Sequence, residues 1–73
     1  MNIKELQGKE VLDMNAKNMG KVSDIEFDLM QGVIKHVELK GGKQKCFFLP
    51  EEVDKIGDRI ILKVSEEQIQ KRT

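Results

Sequence analysis

Two carboxylates, Asp24 and Asp28, stand four positions apart in the stretch NMGKVSDIEFD, residues 18–28. On a helix that spacing would bring them to one face, where they could share a proton or hold a cation. The stretch alternates with the period of a strand instead, and four strand residues separate two side chains by roughly 13 Å. Both acids are therefore read as backbone supports. Asp28 opens a turn through its side chain, and Asp24 accepts from backbone groups freed at a bulge. His36 falls between Ile34 and Glu38 on the expected solvent face of a strand. A general base needs a nucleophile and an orienting partner, and the neighbouring sequence supplies neither, so His36 is read as a surface or interface residue. Cys46 is read as a small buried hydrophobe or an interface residue, with Lys45 beside it as the one neighbour able to depress a thiol pKa.

Lys40, Lys43 and Lys45 surround the Gly41-Gly42 turn. Such a cluster could meet the phosphates of RNA, although no aromatic is interleaved to stack on bases and a solvated loop has the same composition. GKEV at residues 8–11 lacks the upstream glycine and following Ser/Thr of a phosphate-binding loop. Neither zinc spacing nor an EF-hand pattern is present, so no catalytic residue, metal or cofactor is expected. Thirteen basic and thirteen acidic side chains cancel, which argues against a general binder of nucleic acid or anionic membrane. One cysteine cannot form an intramolecular disulfide, and a reducing cytoplasm is the expected compartment. Apolar runs fall well short of a membrane span, so no membrane insertion is expected.

These groups must be positioned by one small domain. A chain of 73 residues offers a core that only just offsets the entropy of ordering it. Its aromatics are Phe27, Phe47 and Phe48, so Val, Ile, Leu and Met must build the interior, and a homodimer that covers leftover apolar surface is expected. Short apolar runs broken by turn residues predict an all-β fold. KEVLD, residues 9–13, reads as a first strand, and MNAKNMG as a loop in which Asn15, Asn18 and Gly20 tolerate positive φ. Residues 21–29 read as a second strand with Ile25, Phe27 and Leu29 toward the core. Val22 is out of phase with them and requires a bulge near Ser23 and Asp24.

DLMQG, residues 28–32, then makes a hairpin into a third strand over residues 32–40, where Val33, Val37 and Leu39 face inward and Lys35 interrupts them. QKCFFLP is apolar on both faces, so it is covered twice or sits at a subunit contact. Pro50 starts a helical turn that runs through Val53 to Ile56 and stops at Gly57. DRIILKV is the last strand, with Ile60, Leu62 and Val64 on one face, and a Ser65/Gln68 capping box starts a short helix or tail over residues 65–73. The expected fold is a small open antiparallel β-barrel of five or six short strands, with one helical turn before the last.

In order, LQGKEVLD, MGKVSDIEFDLMQGVIKHVEL and FLPEEVDKIGDRIILK resemble the PRC-barrel family over about Leu6 to Val64. The shared pattern is Gly8, Lys9 and Val11; Gly20, Lys21, Val22, Asp24 and Asp28; Gly32 and Val33; then Pro50, Val53, Ile56, Gly57 and Asp58. That family takes its name from the cytoplasmic domain of the photosynthetic reaction-centre H subunit and supplies the C-terminal domain of a bacterial ribosome maturation factor. The resemblance implies an adaptor barrel with no active site to transfer, in a stand-alone form that looks archaeal. Some relatives of that kind are associated with cell division, while others in bacteria are sporulation-related. The maturation factor's N-terminal domain and the H subunit's membrane helix do not accompany these segments, which leaves protein–protein interaction as the expected function, with Cys46, Phe47, Phe48, Leu49 and His36 as the interface. The alternative is an RNA-processing or ribosome-maturation role through Lys40, Lys43 and Lys45. Gly20, Asp24, Asp28, Gly32, Pro50 and Gly57 are the expected fold-defining residues.

Overall fold

The computed structural model describes residues 3–42 and 45–71. The chain runs through α1 (Ile3–Leu6), β1 (Glu10–Leu12), β2 (Asn18–Asp28), β3 (Val33–Lys40), β4 (Cys46–Phe48), a 3-10 turn (Pro50–Glu52), β5 (Val53–Ile56), β6 (Ile60–Leu62) and α2 (Glu66–Gln70). The six strands form one sheet in the order β4-β3-β2-β1-β6-β5. The expected all-β class and open barrel-like shape are what the structure shows. Strands β1 to β4 make an antiparallel meander, and the β5–β6 hairpin joins its far side. There the fully antiparallel expectation fails, because β6 pairs with β1 in parallel, Val11 opposite Ile60 and Leu12 opposite Ile61. The chain crosses the sheet between β4 and β5, so β6 arrives beside β1 running in the same direction.

The core holds Val11, Val22, Val37, Leu39, Phe48, Ile60 and Leu62 from the strands, with Leu6 of α1 and Ile69 of α2 closing it. Helix α2 packs on β4 and the 3-10 turn packs on β3, so the curled sheet is covered although its edge strands do not pair with each other. The capping box predicted for α2 is present: Gln68 N–H donates to Ser65 Oγ, and Ser65 N–H donates to Gln68 Oε1 at 2.9 Å.

Three local expectations need correction. The helical turn spans only Pro50–Glu52; Val53–Ile56 is a strand paired with β6, and Gly57 belongs to the turn between them. Glu52 sets that boundary, since its carboxylate accepts Leu49 N–H at 2.8 Å while its carbonyl accepts Lys63 N–H at 2.7 Å. Strand β2 starts at Asn18, three residues early, and positive φ in the preceding loop falls on Ala16 rather than Asn15 or Asn18. Gly20 lies inside β2 at φ 106°, where an added Cβ would collide with the Lys40 carbonyl and lie 3.2 Å from Gly42 N. Its role is a close crossing of two backbones, not a chain reversal.

The bulge is where the phase of Val22 requires it. Val22 pairs with Leu39 and Asp24 with Glu38, which leaves Ser23 as the extra residue. A second irregularity pairs Glu26 with His36 and Phe27 with Ile34, leaving Lys35 as the extra residue of β3. That explains the interruption of the inner face at Lys35: the bulge turns Ile34 inward against the core and Val33 outward.

Candidate functional site

Strand β1 pairs only with residues 18–21 of β2, and β4 pairs only with residues 37–39 of β3. Beyond those limits and Val22, which still bonds the backbone of Gly8 and Lys9, the β2–β3 hairpin continues as a two-stranded arm with no strand on either side among the described residues. Phe27 lies on its inner face but past the end of the core and is 41% exposed. This corrects its assignment, and that of Leu29 and Val33, to the interior: Leu29, Met30 and Val33 are 86%, 96% and 49% exposed. Apolar groups so concentrated at one tip are unusual on a monomer's surface. The turn at the tip is closed by hydrogen bonds that the side chain and backbone of Asp28 accept. Asp28 Oδ1 accepts Met30 N–H at 2.9 Å and Gln31 N–H at 3.1 Å, and Gly32 at φ 69° donates to the Asp28 carbonyl at 2.8 Å.

Asp24 and Asp28 each serve the backbone nearest them. Asp24 accepts Ile25 N–H at 2.8 Å beside the bulge, and Asp28 holds the turn. Of the expected interface residues, Cys46 and Phe48 are consumed by the chain's own core, at 5% and 0% exposure, because β4 turns both toward it. Phe47 faces the other way and meets the His36 ring at a centroid distance of 4.9 Å. Burial, reinforced by the charge of Glu66, pushes the Cys46 thiol above its ordinary 9.0, opposite to the depression that Lys45 could have caused. Lys45 reaches Glu38 instead, at 3.5 Å. Lys40 is exposed, and Lys43 lies outside the described residues.

Two features have no counterpart in the sequence reading. Asp13 is buried and accepts Asn15 N–H and Lys17 N–H on Oδ1 and Glu66 N–H on Oδ2, each at 2.8 Å. Burial opposes its ionisation, but these backbone donors and the Lys17 charge outweigh it and hold the carboxyl below its usual 3.8. An Asp at the end of a strand, followed by MNAKN, was the available signal, since Asp commonly binds backbone two to four residues on. The second feature surrounds His36, whose Nε2 lies 3.4 Å from Glu26 Oε2 and 3.5 Å from Glu38 Oε2.

A curled open sheet, its ends covered by a short helix and a 3-10 turn and its longest hairpin projecting an apolar tip, makes a small open domain of the β-barrel type. The chain belongs to the PRC-barrel domain family, whose family model matches residues 1–69. Domains of this family are non-catalytic, binding-type units often involved in protein interactions. No curated protein matches the chain. Among the described residues no helix is long and apolar enough to cross a membrane.

Proposed function

We propose that this protein is a non-enzymatic adaptor module that works in a reducing cytoplasm as a homodimer, with the β2–β3 arm as its docking element. The projecting arm carries the reading. It offers main-chain edges on both strands, so another strand can pair with it without dedicated side chains, and its tip adds Phe27, Leu29, Met30 and Val33 as apolar anchors. A second copy of the same arm is a fitting occupant, because a two-fold contact needs only one self-complementary patch. An isolated two-stranded ribbon is only marginally stable in water, which favours covering the arm.

Light scattering at micromolar concentration tests this directly. The 8.4 kDa chain is expected at twice its mass, and Leu29→Asp with Met30→Asp is expected at the monomer mass with its circular dichroism unchanged. A monomeric wild-type chain overturns the dimer, and a double variant that remains dimeric moves the contact off the arm. For partner proteins, cross-linking in the native cell is expected to capture them through exposed Lys35 on the arm. Repeated absence of any protein cross-linked at Lys35 counts against the adaptor reading.

A further inference from the structure

We propose that Glu26, His36 and Glu38 bind one divalent transition-metal ion of the zinc class on the outer face of the sheet. Glu26 stands directly opposite His36 across the β2–β3 ladder, and Glu38 follows His36 by two residues on the same face. The Ser23 bulge creates this juxtaposition. Continuing the Val22–Leu39 register without it would set Ile25 opposite His36 and Glu26 opposite Lys35. One donor atom from each of the three side chains lies within 4.8 Å of the others. A tetrahedral ion with bonds of about 2.0–2.2 Å holds its ligands roughly 3.4 Å apart. The distances from His36 Nε2 to the two carboxylates, 3.4 and 3.5 Å, already match that edge.

The donor chemistry fits the same ion. Imidazole favours zinc, copper, nickel and iron over magnesium or calcium, and two carboxylates neutralise a divalent charge. Solvent reaches the group, with side-chain exposures of 51% for Glu26 and 25% for both His36 and Glu38. The Phe47 ring, inclined 47° to that of His36, restricts the imidazole from one side. Lys45 occupies Glu38 Oε1 and leaves Oε2 facing His36; its own side chain is 82% exposed and free to swing away from an arriving cation. Three protein ligands leave a fourth position for water.

Because His36 is the sole histidine of the 73 residues, the test is unambiguous on this chain, tag-free and chelator-stripped. Calorimetric titration with Zn²⁺ is expected to show one ion per chain at micromolar Kd, and Co²⁺ is expected to develop the visible d–d bands of a tetrahedral site without thiolate charge transfer. His36→Gln and Glu26→Gln should each weaken binding about ten-fold or more, whereas Cys46→Ser should not change it. Mn²⁺ added to the unaltered chain should broaden the His36 imidazole resonances before others, which needs no substitution to fold. Absence of saturable Zn²⁺ binding below about millimolar, or His36→Gln binding like wild type, overturns the site and leaves the three side chains as a surface polar cluster. The readout is metal occupancy, so its failure is distinct from failure of the docking role of the arm.

Discussion

Asp13 joins the loop after β1 to the first turn of α2, 53 positions away, through a single carboxylate. Removing it strands three backbone donors in a buried place, so Asp13→Ala is expected to destabilise the fold by about 3 kcal/mol, read by urea denaturation. For a domain of this size, that is a large share of a total of roughly 4–11 kcal/mol. Since the folded pKa is depressed, the carboxylate's contribution is present above the ordinary 3.8 and is lost as pH falls from there through the lower folded value. Asp13→Asn should therefore flatten the acid limb of the stability curve; a limb of unchanged steepness would show that other carboxylates set it. Cys46 behaves oppositely, its thiol held protonated by burial. Alkylation at neutral pH is expected only at the rate of unfolding, and rapid labelling of the native chain would contradict its core position.

At the level of elements, β2 and β3 do most to shape the surface, and two glycines test how. Gly20 and Gly32 both have positive φ, but only at Gly20 would a Cβ meet backbone, that of Lys40 and Gly42, whereas Gly32 has open space around it. Gly20→Ala is expected to cost about 2–4 kcal/mol and Gly32→Ala only about 1 kcal/mol, compared by thermal or urea unfolding. Equal costs would show that the crossing of β2 over the Lys40–Gly42 segment yields readily. Asp28→Ala is expected to loosen the arm alone, with faster amide exchange at Met30 and Gln31 and unchanged protection at Val37 and Leu39.

The molecule as a whole is a thin shell around a small core, with extents of 33 × 26 × 20 Å. If two copies cover each other's arms, stability is coupled to association by mass action. The melting temperature of the wild-type chain should then rise with protein concentration, while that of the Leu29→Asp, Met30→Asp variant should not. A concentration-independent wild-type value would separate folding from dimerisation.

The sequence by itself determined whatever depends on neighbours along the chain. Alternation marked the strands, the misplaced phase of Val22 located the Ser23 bulge, Asp28 and Gly32 specified their turn, and Ser65 with Gln68 placed the start of α2. These are contacts within a few residues, so residue type alone encodes them. Only the tertiary structure decided the parallel β1–β6 pair, the exposure of Phe27, the burial of Asp13 and the meeting of Glu26 with His36 and Glu38. Each depends on where a distant strand begins, ends or crosses. Phe27 has the pattern of a core residue and would be one if β1 or β4 ran a few residues further. The spacing of His36 and Glu38 along β3 is local, but the register that joins β2 to β3 is what brings Glu26 to them, and no local spacing in the sequence records that meeting.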